Sequence, residues 1–501
     1  MSDVHAPGTP DSPARTDAGE VTAPTALDDP RTGSAAADDP GDPTPVTGGA
    51  TGSPASWRWR RIASTAAVAL ISVVALVFWR GFHLPGHDSG DDFALYIDQA
   101  RSLLQGDVGA TLGRTRFAVD NSGWQTFSPY AYPWGLPLLL APVLALTGVV
   151  DPETGIDYAP LKMMISVTFL IALLAYHSWL RRRIHWLGAA LLPVFLGTNI
   201  VFVLHTDNVL SELPFLMSLM LIVVWFDRVR ERGLLLSGSV WPLVVLGLLV
   251  AFSFNIRREG LGALLGVGLG QLVAIWPERS GRSTWSALGE VDWRRAAVPW
   301  ATFAAAVVAF QIALPSEVLP KYSERDPAAT TGLGRIPGSI ETYRPMLAEQ
   351  LGLKDFGPVD TTLFGSPALG AAAMITLVVL AVLGLVTAAV RDPARELVVV
   401  GMFVGVSVLV LSAPFQTYRY IMALVPFFLY FVHLGVATPI AVIGGRGLRR
   451  PTIVAELLIA SMIVAGWGDT INAREFREGW AGPPRSGPQE PAALELSLIH
   501  I

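Results

Sequence analysis

The sequence predicts an all-α polytopic membrane protein, and three observations carry that expectation. Half of its 501 residues are hydrophobic and only 15% are charged, a balance that raises the mean hydropathy to +0.47, more than a water-soluble globule can bury. Apolar segments of near-spanning length recur from residue 62 to residue 468. There is no cysteine, so disulfides, thiolate nucleophiles and zinc-thiolate sites are excluded and packing alone must hold the fold.

In chain order, residues 1–56 come first. They are rich in Pro, Gly, Ala, Thr and Asp, and eight Asp and one Glu against two Arg give a local charge of −7, leaving +2 for the rest. Such a stretch cannot bury enough apolar surface to offset its ordering entropy, so a disordered cytoplasmic tail is expected. The basic cluster Trp57-Arg58-Trp59-Arg60-Arg61 follows it, which makes 62–79 a retained signal anchor and not a cleaved leader.

Crossing a hydrocarbon core of roughly 30 Å takes about 20 apolar residues. Segments 62–79, 133–150, 161–180, 186–204, 209–226, 240–255, 260–276, 296–314, 368–390, 397–413, 419–437 and 452–468 meet or approach that length. If all of them crossed, Arg181-Arg182-Arg183 and most later basic loops would face outward, against the positive-inside rule. Segment 133–150 carries Pro133, Pro137 and Pro142, which remove backbone donors and break a helix interior. With that segment lying at the interface, about 11 transmembrane helices remain and the basic loops face the cytoplasm.

This arrangement makes 57–468 the transmembrane domain and assigns the outside a first external loop, 80–160, with juxtamembrane amphipathic helices. The turns at 205–208, 255–260 and 416–420 also face out, as does a lid-like loop at 315–367. An external polar tail, 469–501, ends abruptly in "LELSLIHI" and is expected to be truncated. No element points to nucleic acid, because the basic clusters merely flank membrane segments.

The stretch "GHDSGDDFALYIDQARSLLQGD" raises the chemical question, since it places Asp88, Asp91, Asp92 and Asp98 beside the first apolar segment. Phe93, Tyr96, Ile97, Ala100, Leu103 and Leu104 recur at three- and four-residue steps opposite Asp91, Asp98, Ser102 and Gln105, the pattern of an interfacial amphipathic helix. Ser89 and Asp92 have the spacing of a capping box, a structural alternative for the acids. Aromatics and prolines follow at "FSPYAYPWGLP", and polar groups collect at the outward ends in "HTDNVLSELPF", "FNIRREGLG" and "QTYRYIMALVPFF". Arg257, Arg258 and Arg419 stand there against the charge trend, and a guanidinium grips phosphate through its planar fork. The glycines of "GVGLGQ" lack a preceding strand or a lysine and read as helix-packing positions.

Between residues 62 and 437 this series resembles the GT-C superfamily of integral-membrane glycosyltransferases, which includes protein O-mannosyltransferases and aminoarabinose transferases. The matching pieces are Asp91-Asp92 with Tyr96, Tyr132-Pro133-Trp134-Gly135-Leu136-Pro137, Asp207 with Ser211-Glu212, Arg258-Glu259-Gly260, and Arg419-Tyr420 with Pro426. The resemblance implies a GT-C-type fold and sugar transfer from a polyprenyl-phosphate-linked donor to an extracytoplasmic acceptor on a glycan, lipid or protein. It implies Asp91 as general base with Asp92 as the second candidate, and Arg258, Arg419 and Arg257 on the donor phosphate. Tyr96, Tyr130, Tyr132, Lys321 and Tyr322 become substrate-site candidates. Asp207 and Glu212 become candidate ligands of Mg²⁺ or Mn²⁺, with helix capping as their alternative. The expected setting is a bacterial plasma membrane, actinobacterial by the bias of 33 arginines to three lysines, with membrane lipids as partners. A transporter or lipid flippase is the rival reading and would place ionisable groups at mid-span.

Overall fold

The computed structural model describes residues 92–121, 130–148, 158–275, 291–317, 332–353, 367–413, 416–443 and 453–464, with scattered positions between 62 and 83 and the residues of a short hairpin at 150–156. The N-terminal tail, Asp91, Lys321, Tyr322 and the tail 469–501 lie outside the described residues.

Apart from the two-residue antiparallel pair β1 (Val150–Asp151) and β2 (Gly155–Ile156), the described chain is helical. Its helices are α1 (Phe93–Gln105), α2 (Val108–Asp120), α3 (Gly135–Thr147), α4 (Ala159–Leu180), α5 (Trp186–Thr198), α6 (Ile200–Thr206), α7 (Glu212–Glu231) and α8 (Trp241–Ile256). They continue as α9 (Gly262–Ile275, entered through a 3₁₀ turn at Arg258–Leu261), α10 (Trp293–Ala313), α11 (Ile336–Gln350), α12 (Pro367–Arg391), α13 (Pro393–Ser412), the single turn α14 (Tyr418–Ile421) and α15 (Val425–Ile443). A last helix, α16, runs from Ile453 to Val464.

Among the described residues six helices are long and apolar enough to cross a membrane, and α5 with α6 make a seventh if that bent pair is one span. The pair bends by 60° at Asn199, whose side-chain oxygen accepts from Val201 N and restarts the helix as an N-cap. The segment 133–150 forms only the 13-residue α3, about 20 Å long at 1.5 Å per residue and short of the core thickness. Its prolines do not break it: Pro137 falls in the first turn, where a missing N–H is harmless, and Pro142 is accommodated inside the helix.

Two elements of the external segments are packed against the bundle. Helix α1 buries Gln99 and Ser102 along with Phe93, Tyr96 and Ile97, while Leu104 is exposed; α1 packs against α3. The loop 315–367 contains α11, and α11 is docked: Gln350 Nε2 donates to Tyr418 O at 2.5 Å, Asn199 Nδ2 donates to Gln350 O at 2.8 Å, and Gln416 Nε2 donates to Ser339 Oγ at 2.6 Å.

Glycine sets the closest helix contacts. On α9 and α13, Gly262 faces Gly405 and Gly266 faces Gly401, so a Cβ on Gly405 would stand 2.5 Å from Gly262 O and one on Gly401 would stand 2.8 Å from Gly266 Cα. Small residues at four-residue spacing let backbones touch where no hydrophobic effect operates between helices. Gly384 of α12 and Gly435 of α15 meet each other's helix backbones in the same way, Gly384 against Phe431 and Gly435 against Leu380. "GVGLGQ" is thus a packing surface, as its composition predicts.

A buried charge layer closes one end of the bundle. Arg183, its side chain 1% exposed, donates from Nη1 and Nη2 to Asp227 and from Nε to Glu396 Oε1 at 3.0 Å, and its guanidinium lies 5.0 Å from the Trp179 ring. Tyr430 donates to the other Glu396 oxygen at 3.0 Å. Four helices or their flanks, α4, α7, α13 and α15, are tied together there. Arg295 closes the turn after α7 by donating to the carbonyls of Leu234, Ser237, Gly238 and Ser239.

Substituting Gly405 by leucine forces the α9 and α13 backbones apart and is expected to cost about 1–3 kcal/mol, the usual range for overpacking. Thermal unfolding in detergent reads this, with the exposed Leu248→Ala as the control that leaves the midpoint in place.

Candidate functional site

At the opposite end of α7 from Asp227, the elements carrying the sequence candidates converge. Asp92 is the N-cap residue of α1, yet its side chain makes no cap hydrogen bond. Its carboxylate turns away from its own helix: Oδ1 accepts from the Tyr132 hydroxyl at 2.5 Å, and Oδ2 accepts from Arg419 Nη2 at 3.2 Å. Asp92 stands at the cap position and bonds across 327 residues of chain, while Ser89, its partner in the capping-box alternative, lies outside the described residues.

Tyr132 is fixed from three sides. Its ring lies 4.7 Å from that of Tyr96, while its N–H donates to Gln99 Oε1 at 3.2 Å and its carbonyl accepts from Gln99 Nε2 at 3.0 Å. Asp92, Tyr96 and Gln99 follow one another at steps of four and three residues, one face of α1. Burial and the Asp92 charge push the Tyr132 phenol well above its ordinary pKa, and burial followed by Asp92 raises that of Tyr96 likewise. Both phenols stay protonated, so Tyr132 is the donor and the carboxylate the acceptor.

Behind this pair Glu212, 4% exposed at the first position of α7, accepts from Arg257 Nη1 at 2.8 Å on Oε1, and Arg419 Nε lies 3.7 Å from the same oxygen. Glu212 Oε2 has no hydrogen-bond partner among the described residues. Arg257 also pairs with Glu259 at 3.1 Å, touches Ser211 Oγ at 3.3 Å and lies 4.6 Å from the Tyr420 ring. Tyr96 reaches the same Ser211 hydroxyl at 3.3 Å. A continuous chain of alternating charge, Asp92, Arg419, Glu212, Arg257, Glu259, thus joins the start of α1, the turn before α7, the α8–α9 turn and α14. Exposure is lowest at Glu212, 4%, and greatest at the Asp92 side chain, 32%, the carboxylate of this chain nearest solvent.

The remaining candidates go elsewhere. Arg258 donates to Ser316 Oγ at 2.6 Å and to Glu317 O at 2.9 Å and lies 4.5 Å from the Phe254 ring. It anchors the segment after α10, so Arg257 and not Arg258 shares a carboxylate with Arg419. Tyr130 donates through its N–H to Glu317 Oε1 and through its hydroxyl to Asp120, both at 2.8 Å, on the far side of that segment. Asp207 pairs with Lys162 at 2.7 Å, both side chains 4% exposed or less, while Glu212 serves the two arginines. Among the described residues no group of three or more His, Cys, Asp or Glu could hold a metal ion, and Asp207 and Glu212 sit in separate ion pairs, an arrangement that does not fit a shared Mg²⁺ or Mn²⁺.

Sequence reasoning missed Gln99, although its register with Asp92 and Tyr96 was readable. It also missed Lys162 as the partner of Asp207, and Tyr343 of α11, which is buried and whose phenol is raised by burial first and by Tyr420 next. Those last two pairings cross between distant elements and leave no local spacing signal.

No protein-family model and no curated protein matches this chain. Among solved structures, the archaeal oligosaccharyltransferase AglB from Archaeoglobus fulgidus in complex with an inhibitory peptide and a dolichol-phosphate superposes on 88% of this chain and 60% of its own, at TM-score 0.46 and 11% identity. The A. fulgidus oligosaccharyltransferase in the apo form gives TM-score 0.43 and 12% identity over 87% and 59%, and the form tethered with an acceptor peptide containing the NVT sequon gives 0.44 and 11% over 88% and 59%. The chain spans about 60% of the length of these structures, and the chemistry of the site rests on its own residues.

Removing Lys162 alone, as methionine, leaves the Asp207 carboxylate buried without its cation and is expected to cost about 3–5 kcal/mol, whereas Lys162→Met with Asp207→Leu recovers most of that. Unfolding midpoints of wild type, single and double variants check this, and equal midpoints for single and double would refute the assignment.

Proposed function

We propose that the protein transfers a sugar from a polyprenyl-phosphate-linked donor to an extracytoplasmic acceptor on a cell-envelope glycan, lipid or protein. The observation that carries the reading is the part-exposed Asp92 carboxylate held against Arg419, with Arg257 on the same Glu212 behind it. A glycosyl phosphate needs two things at one point: a base for the acceptor proton and cations for the phosphate that departs. The GT-C-like motifs fall on these residues, and that likeness supports the reading.

Asp92 is the base in this mechanism. It takes the acceptor proton while the acceptor attacks the anomeric carbon, and Arg419, backed by Arg257, carries the charge that develops on the phosphate. Tyr132 orients the carboxylate. Asp91, adjacent in sequence and outside the described residues, is the alternative base, and the separate variants decide between them. Arg258, Lys321 and Tyr322 are assigned to shaping the donor's approach.

The transporter reading draws on buried charge, but Lys162 lies in the first turn of α4 and Asp207 directly follows α6. Among the described residues the buried Asp, Glu, Lys and Arg side chains lie near helix ends, and His433 is a buried ionisable group at the middle of α15.

Purified protein offered mannose- and arabinose-bearing polyprenyl phosphates tests the proposal. Asp92→Asn is expected to lower turnover by about 10²–10⁴-fold, the usual contribution of a positioned base, with the donor KM little changed. Undiminished turnover in both Asp92→Asn and Asp91→Asn ends the base assignment. Arg257→Gln is expected to raise the donor KM instead, by roughly tenfold for the loss of one charge-assisted contact of about 1.5 kcal/mol.

A further inference from the structure

Both oxygens of Asp92 are occupied: the Tyr132 hydroxyl holds Oδ1 at 2.5 Å and Arg419 holds Oδ2 at 3.2 Å. A carboxylate offers about four lone-pair sites, so two donors do not fill it, but a guanidinium held against Oδ2 competes with an incoming acceptor for that oxygen. Moving one of these donors away opens the proposed base, and the geometry distinguishes them.

Tyr132 cannot leave cheaply. Its backbone is bonded on both N–H and C=O to Gln99, which is 0% exposed, and its ring packs on Tyr96. Arg419 is differently placed. It sits on the single turn α14, its side chain is 15% exposed, and it lies between two carboxylates, at 3.2 Å from Asp92 and 3.7 Å from Glu212. If Arg419 moves, Glu212 keeps Arg257 at 2.8 Å and is not stranded. Of these two carboxylates the one that Arg419 releases is Asp92, the more exposed.

We propose that Arg419 masks Asp92 until the phosphate of the lipid-linked donor draws the guanidinium away, so that the donor itself releases the base. The proposal rests on the sugar-transfer reading above. A phosphate offers the guanidinium a bidentate, charge-assisted partner, and the exchange frees Oδ2 on the side where the phosphate lies. Asp92 Oδ2 then accepts the proton of the acceptor's O–H or N–H as that atom bonds to the anomeric carbon. The bond between that carbon and the phosphate oxygen breaks with its electron pair staying on the phosphate, beside Arg419. The donor must therefore bind before an acceptor can react, and an acceptor that arrives first meets a neutralised carboxylate.

Infrared difference spectroscopy of the purified full chain in nanodiscs, with a polyprenyl monophosphate as the probe and the free polyprenol as control, tests this. The antisymmetric carboxylate band of Asp92 is identified by its absence in Asp92→Asn. The expected result is a shift of that band on adding polyprenyl monophosphate and none with polyprenol. In Arg419→Gln the band already stands at the shifted position and the lipid no longer moves it. Tyr132→Phe serves as the second variant: it displaces the band in both states but retains the lipid-induced shift. Polyprenyl monophosphate that binds, by calorimetry, without moving the band overturns the release by the donor and leaves the sugar-transfer reading standing. A lipid that does not bind at all overturns both.

Discussion

Charge kept out of water must be matched, and the architecture follows from where the matches fall. Two layers of ion pairs sit at opposite ends of α7, with Glu212 at one end and Asp227 at the other, 15 residues or about 22 Å apart on one helix. Each layer gathers residues from at least four elements, and the space between is filled by Phe, Leu, Val and glycine contacts. Truncating one partner of such a pair is far more disruptive than replacing both, so the layers fix which helices are neighbours. The two layers differ in one respect. At the Arg183 end the central charges Arg183, Asp227 and Glu396 are sealed, with side chains 1–7% exposed, while at the Asp92 end the chain of pairs opens to solvent.

That difference separates a structural network from a chemical one. Arg183, Asp227, Glu396 and Tyr430 satisfy one another. At the other end Glu212 carries two arginines on one oxygen and leaves the second without a partner among the described residues. Tyr132 is clamped by Gln99, and Arg419 stands between two carboxylates. The proposed sugar transfer asks the first to stay in place and the second to move.

Much of this was legible in the sequence, for physical reasons that also mark the limits. Helix-length apolar runs announced the fold class, and the cost of charge beside an apolar slab flagged Arg257, Arg258 and Arg419, whereas Asp91, Asp92, Tyr96, Tyr132 and Glu212 were singled out by the acidic cluster and by the family resemblance. The choice between Arg257 and Arg258 was not legible: adjacent residues at a helix break point to different sides, and only the 3₁₀ turn at Arg258–Leu261 decides which faces Glu212. The partners of the loop arginines were not legible either: Arg182, Arg183 and Arg295 are met by Glu231, by Asp227 with Glu396, and by four backbone carbonyls. Those partners lie up to 213 residues away and carry no sequence spacing.

Helix α10 has 21 residues, carries no charge after Arg295 and is almost unburied, with only 6% of its spanning window shielded by the protein. Its 18 residues after Arg295 run about 27 Å, close to the thickness of a hydrocarbon core. Its far end runs straight into the segment that Trp134 holds at Pro315 O, 3.0 Å, and that Arg258 and Tyr130 hold at Ser316 and Glu317. In a bilayer whose thickness mismatched α10, the adjustment would fall on a segment tied to Trp134, Arg258 and Tyr130.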